Sequence, residues 1–370
     1  MNDQHLHIVV FDVPWPANYG GVIDVFYRAR ALSEAGVKVH LHCFEYGRGK
    51  QEVLDFCHEV HYYKRDTSPL RQLGRRPYIV ASRRSKELVN RLLQDDYPIL
   101  CEGIHTAALL EEESLKGRRI FVRMHNIEQD YYRQLGRAEK KWWKRCYYFA
   151  EARKLERYEP ILERASGILA ITEKDAAAFS ARYANVTLLP PSCATDKVTA
   201  QTGRGEFVLY HGNLSVREND EAANWLLDNV FSKLSVPCVI AGLNPSQQLR
   251  DRIDKMPFVT LHANLTEEKM REMIRNAQVN VLVTHQPTGL KLKLLNSLYQ
   301  GRHCVVNNDM VSGTDLGALC TLVDNGPEMM TAIAKLWDKP FTEKDIHFRQ
   351  EAMASLYDNH ANAMKVLDLL

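Results

Sequence analysis

Residues 279–307, VNVLVTHQPTGLKLKLLNSLYQGRHCVVN, constrain the fold more than any other stretch. Val279, Val281 and Val283 make a β-branched run of strand length. Residues 285–289 read as a loop. Leu290, Leu294, Leu295, Leu298 and Tyr299 then recur at helical spacing, Gly301 is a C-terminal helix stop, and residues 303–307 hold a further short strand. A right-handed βαβ unit follows, with its loop at the carboxyl end of the sheet, where α/β proteins bind ligands. Lys291 and Lys293 fall in the first helical turn, where the macrodipole disfavours a cation by a few tenths of a kcal/mol. Either an anion joins them, as the free N–H groups of a helix start invite, or both extend into solvent.

The same alternation recurs along the chain. A strand at 7–11, a loop at 12–21, a helix at 22–35 stopped by Gly36, and a strand at 37–44 make the first unit. Its loop carries only the pair Gly20-Gly21, not G-x-G-x-x-G. That pair permits close approach of a ligand to the backbone, or simply a tight turn. Strands follow at 99–102 (before Gly103 and a helix from Thr106), 119–124, 167–171 and 186–189. Thr172 is the expected N-cap of a helix over 173–183. A second series runs through strands at 207–211, 237–242, 259–262 and 320–323, with helices at 220–231, 245–255 and 266–276. Residues 191–205 are polar and nearly free of large apolar side chains, and read as a linker.

With 370 residues, two domains are expected. The expected class is α/β: two Rossmann-like, doubly wound domains facing a central cleft, over 1–190 and 206–345, with a helical segment over 346–370 packing back toward the N-terminal domain. Hydrophobic content of 45% and charged content of 25% fit a soluble globular protein, and a net charge of +2 leaves any basic surface local. The eight cysteines show neither C-x-x-C pairs nor metal-ligand spacing, and a reducing cytosol is expected. Polar residues 1–7 lead straight into a strand, so no signal peptide is expected, and no apolar run reaches transmembrane length.

The motif order resembles glycosyltransferases of the B-type fold, and most of all glycosyltransferase family 4. The matches are Asn18-Tyr19-Gly20-Gly21, Met124-His125-Asn126, Tyr210-His211-Gly212-Asn213-Leu214 and Thr288-Gly289-Leu290-Lys291, continuing to Leu294-Leu295-Asn296-Ser297-Leu298 and Gly301. They span nearly the whole chain. The resemblance implies a C-terminal domain that holds a nucleotide diphosphate sugar and an N-terminal domain that holds the acceptor. Gly20, Gly21, Asn213, Arg217, Lys291 and Lys293 are then diphosphate contacts, and Gly289, Leu290 and Asn296 donor ribose or sugar contacts. His125 and Thr288 become catalytic candidates, and Asn18, Tyr19, Glu102 and Glu128 the acceptor region. Cations and N–H groups stabilise the charge that builds on a leaving diphosphate. No metal ligands and no cofactor are expected, only the nucleotide sugar as substrate.

One departure stands out. The family places two glutamates around this helix with seven residues between them, and here those positions hold Thr288 and Asn296. A carboxylate grips a ribose through charge-assisted hydrogen bonds, whereas asparagine bonds hydroxyls neutrally.

The stretch 131–158 interleaves Lys140, Lys141, Lys144 and Arg145 with Trp142, Trp143, Tyr147 and Tyr148. Such helices lie at anionic membrane surfaces. The alternatives are a helix that packs its tryptophans on the first domain, or a nucleic-acid stacking surface. No nucleic-acid-binding module accompanies it, and no nucleic-acid partner is expected. The leading reading is a hexosyltransferase acting on a glycan or lipid-linked acceptor, retaining and metal-independent by resemblance, at the inner face of the cell membrane. A nucleotide-sugar epimerase of related fold and a degenerate, non-catalytic binding protein are the alternatives.

Overall fold

Alternating apolar runs and amphipathic helices give two all-parallel sheets in a computed structural model that describes residues 4–17, 20–45, 47–195, 197–286 and 291–370, without the side chain of Leu356. Asn18, Tyr19, Thr288, Gly289 and Leu290 lie outside the described residues.

Unit 1 comprises Met1–Ala194 and Tyr357–Leu370. Its strands are β1 (His5–Val10), β2 (Lys38–Glu45), β3 (Glu59–Lys64), β4 (Ile99–Glu102), β5 (Ile120–Met124), β6 (Gly167–Ala170) and β7 (Val186–Leu188), in the order β3-β2-β1-β4-β5-β6-β7. Helices cover both faces, so the central strands are buried along their length except at His5, the first residue of β1. The C-terminal helix Asn359–Leu369 adds Ala363 and Val366 to the core beneath helix Gly20–Glu34. Strand order reverses between β1 and β4, which places the switch point at the carboxyl ends of those strands.

Unit 2 is Thr195–Leu356. Strands β8 (Phe207–Asn213), β9 (Cys238–Leu243), β10 (Val259–Ala263), β11 (Ala277–Leu282), β12 (His303–Asn307) and β13 (Thr321–Val323) run in the order β10-β9-β8-β11-β12-β13. The switch point lies between β8 and β11. Both units are thus Rossmann-like, as the alternation predicts.

Several local expectations are met by a stated chemistry. Thr172 Oγ1 accepts from Asp175 N at 3.1 Å at the start of helix Glu173–Ser180, and Gly36 adopts φ +92°, where glycine carries no steric penalty. Others are corrected. Gly301 is not a left-handed stop, since its φ is −91°. Glycine is required there for space: a Cβ would lie 2.2 Å from Asn280 Nδ2 and 2.9 Å from the Ser297 carbonyl. The helix it follows, Leu292–Gln300, has its last carbonyls capped by Arg349, whose Nη1 donates to Leu298 O at 2.9 Å and Gly301 O at 2.6 Å. The helix expected from Thr106 is a 3₁₀ helix, Ile104–Glu111. The stretch 131–158 is not continuous but two packed helices, Glu128–Ala138 and Trp142–Tyr158. The polar segment 191–205 is divided between the units, its first four residues in unit 1 and the rest in unit 2, and the segment 346–370 is divided after Leu356.

Candidate active site

In unit 1 the carboxyl ends of β1, β4 and β5 converge on a buried charge network. Asp24 and Arg28 stand one turn apart on helix Gly20–Glu34, within an otherwise apolar face. Asp24 Oδ1 accepts from Arg28 Nη1 at 2.7 Å and from the Ser192 amide at 2.8 Å. Its Oδ2 accepts from Arg123 Nη2 at 2.8 Å. Glu102, the last residue of β4, accepts from Arg28 Nη2 at 2.6 Å and from His125 Nε2 at 2.9 Å. Two carboxylates and two guanidiniums balance, and the spare N–H groups of Arg123 reach the carbonyls of Leu189 and Pro190. A buried ion network is tolerable only when paired and hydrogen-bonded in this way. Burial alone would raise the Asp24 carboxyl, but Arg123 and Arg28 outweigh it and hold it down at about 2. Glu102 is likewise lowered, with burial opposed by Arg28 and His125. An ionised carboxylate only accepts, so His125 carries its proton on Nε2. Nδ1 remains, 4.0 Å from Asp24 Oδ2 and beyond hydrogen-bond range.

These contacts revise the acceptor expectations. Glu102 is fully buried and both its oxygens are engaged, so it orients His125 and has no surface for an acceptor hydroxyl. Glu128, at the start of helix Glu128–Ala138, is also buried, and burial pushes its carboxyl up to about 7. Gly20 and Gly21 open helix Gly20–Glu34. A Cβ on Gly21 would meet Phe11 Cζ at 2.7 Å. The Phe11 ring packs edge-on against His125, 5.4 Å between centroids, so glycine at 21 leaves room for the ring that flanks the histidine.

In unit 2 the switch point assembles a second constellation. Asn213 ends β8 and turns the chain, its Oδ1 accepting from Ser215 N at 3.1 Å and Ser215 Oγ at 2.7 Å. Asn219 Nδ2 donates to the Asn213 carbonyl at 2.9 Å, and Asn219 Oδ1 accepts from Lys293 Nζ at 2.9 Å. Asn219 is the one hydrogen-bond partner of that ammonium among the described residues. Lys293 Nζ also lies 5.3 Å from the Tyr210 ring centroid. Burial lowers Lys293 to about 8, against the opposing pull of Glu218. Lys291, the N-cap of helix Leu292–Gln300, is lowered for the same reason. Glu218 itself accepts from Thr284 Oγ1. On the next turn of the helix, Ser297 meets His211 Nε2 at 2.9 Å; burial, reinforced by Lys293, pushes His211 down to about 3, so it stays neutral. Asn296 is half-buried and shares a helix face with Lys293. Arg217 Nε donates to Glu221 one turn along its own helix at 2.8 Å.

The fold therefore joins Lys293 and Asn213 through Asn219, with Lys291 two residues before Lys293 at the same helix start, and His125 with Glu102. Sequence reasoning did not single out Asp24, Arg28, Arg123, Glu218, Asn219, Thr284 or Ser297. A signal was present for three of them: Arg123 interrupts the apolar strand IFVRM, and Asp24 and Arg28 interrupt an apolar helix face at i, i+4.

No protein-family model matches the chain. An uncharacterized 44.6 kDa protein in the cps region of Klebsiella pneumoniae is 23% identical over 345 residues, covering 88% of this chain and 86% of that protein. Among solved structures, sucrose-phosphate synthase from Thermosynechococcus elongatus superposes with a TM-score of 0.70 at 16% identity, over 99% of this chain and 98% of that one. Anabaena HepE in complex with UDP and glucose gives 0.67 at 11% identity, over 99% and 98%. WaaG, a glycosyltransferase involved in lipopolysaccharide biosynthesis, gives 0.63 at 13% identity, over 98% and 99%. The chain has the fold of the GT-B glycosyltransferases, with two Rossmann-like domains.

Proposed function

We propose that the chain is a hexosyltransferase that moves a sugar from a nucleotide diphosphate donor to a glycan or lipid-linked acceptor in polysaccharide biosynthesis. The observation that carries this reading is the pair of burial-depressed lysines at the start of helix Leu292–Gln300, one of them tied through Asn219 to the Asn213 turn. A cation lowered by burial is a site for an anion, because a phosphate restores the charge that burial disfavours. Helix N–H groups add to the same field. The UDP named with HepE, and the lipopolysaccharide role named with WaaG, agree with this assignment.

In the proposed reaction the acceptor oxygen bonds to the anomeric carbon as the bond to the diphosphate breaks, and the acceptor proton passes to the departing diphosphate. Lys291 and Lys293 stabilise the charge that builds there, in a metal-independent step. His125, held by Glu102, offers Nδ1 to a sugar hydroxyl. Retention of configuration rests on the family resemblance. Incubation with a panel of nucleotide sugars and acceptors tests the proposal: acceptor-dependent nucleotide release supports it. Binding without turnover would instead favour a non-catalytic protein, the reading that Thr288 and Asn296 in place of two glutamates supports.

Peripheral membrane contact belongs to the same proposal. No helix among the described residues is long and apolar enough to cross a membrane. Trp142 and Trp143, however, are 76% and 54% exposed rather than packed on unit 1. A concavity of about 960 Å³ is lined by Arg71, Arg75, Arg76, Arg84, Lys154 and Arg157, beside exposed Leu70 and Leu73. Apolar tips among cations suit an anionic lipid surface. Flotation with liposomes of rising anionic content is expected to recruit the protein, and a Trp142→Ala/Trp143→Ala variant to float less; indifference to lipid refutes the contact.

A further inference from the structure

Three parallel strands bring six histidines together at the amino end of the first sheet, away from the carboxyl end where the charge network sits. His5 and His7 lie on β1, His40 and His42 on β2, and His61 on β3, with His58 just before it. The register sets His7 opposite His40 and His42 opposite His61. The inner pair is fully engaged: His7 Nδ1 meets His42 Nε2 at 2.8 Å, His7 Nε2 meets Asp95 at 2.9 Å, and His42 Nδ1 meets the Tyr63 hydroxyl at 2.9 Å.

The outer group differs. His5 Nδ1 lies 2.7 Å from His40 Nε2, and His5, His40 and His58 each present one ring nitrogen within 4.8 Å of the others. Two nitrogens on a tetrahedral ion, at bond lengths near 2.0–2.1 Å, stand about 3.3 Å apart. Moving the two nitrogens apart by about 0.6 Å therefore converts the pair from a hydrogen bond to shared coordination. His40 is already oriented as metal-bound imidazoles are, with its far nitrogen, Nδ1, 3.3 Å from Glu59 Oε2. That carboxylate is fixed by His61 Nε2 at 3.0 Å and by Arg91. The His5 ring stacks on Tyr97 at 4.2 Å. His58 is exposed, which gives an ion a route in, while its backbone amide is anchored to the Val39 carbonyl at 2.9 Å.

We propose that His5, His40 and His58 bind a divalent transition-metal ion of the Zn²⁺, Co²⁺ or Ni²⁺ class. Three imidazoles select these ions over Mg²⁺ and Ca²⁺, which take oxygen ligands. Three protein ligands leave a fourth position for water. With Glu59 accepting from His40 Nδ1–H, His40 Nε2 carries the lone pair and His5 Nδ1 the proton between them. On binding, that proton moves to His5 Nε2, so the imidazoles stay neutral and none is lost. β1 runs from His5 to Val10, which separates this site from the carboxyl end by about 16 Å at 3.3 Å per residue. The ion would tie β1, β2 and the entry to β3 together, and would take no part in transfer.

The test uses the full-length chain without an affinity tag, treated with chelator. Zn²⁺ is titrated by calorimetry and Co²⁺ by visible absorption, where tetrahedral coordination gives intense d–d bands. The expected result is a single saturable equivalent, not displaced by excess Mg²⁺. A hundredfold excess of Zn²⁺ over its Kd should also raise Tm by roughly 5 °C. His58→Ala, an exposed substitution that leaves the fold intact by circular dichroism, should weaken binding at least tenfold. Glu59→Gln should weaken it by about 10–100-fold. Absence of a saturable equivalent, or a loss below tenfold in His58→Ala, overturns the proposal.

Discussion

Lys293→Met should stabilise the free protein while destroying its nucleotide affinity, a pair of opposite effects that few substitutions produce. In the fold Lys293 is lowered from 10.5 to about 8 by burial. At about 1.4 kcal/mol per tenfold, that drop sets a ceiling near 3 kcal/mol on the cost of holding the charge. The side chain keeps some exposure, which reduces the cost to about 2 kcal/mol. Methionine loses the hydrogen bond to Asn219, returning about 1 kcal/mol. A net gain of about 1 kcal/mol remains, read as a rise in denaturation midpoint. The sign with pH is fixed: between about 8 and 10.5 the unfolded lysine binds more protons than the folded one, so wild-type stability rises with pH in that window. The advantage of Lys293→Met is therefore full below pH 8 and fades as pH rises toward 10.5. Nucleotide binding follows the opposite course. If the bound diphosphate needs the protonated amine, a pKa of about 8 weakens UDP affinity about tenfold between pH 7 and pH 9. Calorimetric titration of a nucleoside diphosphate at both pH values measures this. Lys293→Met that binds nucleotide as well as wild type, or a wild-type affinity flat from pH 7 to 9, refutes the reasoning.

Arg123→Met should cost about 3–5 kcal/mol by denaturant titration, because Asp24 and the carbonyls of Leu189 and Pro190 lose a buried partner. Glu128 is raised to about 7 by burial. The folded state then binds more protons than the unfolded one between about 4.3 and 7. Stability should fall as pH rises through that window, and Glu128→Gln should flatten the dependence in a Tm series from pH 5 to pH 8. Gly301→Ala places a methyl 2.2 Å from Asn280 Nδ2 and should cost about 1–3 kcal/mol of equilibrium stability, although no left-handed backbone is involved.

The fold was legible because parallel strands buried on both faces leave near-continuous apolar runs, as in 281–283 and 207–210, and the helices between them keep a 3.6-residue period. β3 was not legible. Its sequence EVHYYK is an edge strand with mostly half-buried positions, so neither an apolar run nor an alternation marks it. The histidine cluster was hidden for a related reason. His5-x-His7 and His40-x-His42 put two rings on one face of each strand, yet only the β1–β2–β3 register sets them side by side.

The candidate site divides along the same line. Lys291 and Lys293 were legible because a cation at a helix start conflicts with the macrodipole, a contradiction visible within a few residues. Glu102 was misread as an acceptor contact because its role depends on Arg28 and His125, 74 and 23 residues away in sequence. A charge inside an apolar element announces that a partner exists, since an unpaired buried charge is untenable, but not which residue it is. Arg123 in IFVRM, with Asp24 and Arg28 on one helix face, therefore predict a buried network before any fold is known. His125 is the network's most exposed end, with 11% of its side chain accessible. Its Nε2 is fixed by Glu102, so Glu102→Gln should change how His125 is held without touching a substrate. Such a variant should lower kcat while leaving nucleotide affinity at Lys291 and Lys293 unchanged, and a loss confined to nucleotide binding would detach His125 from catalysis.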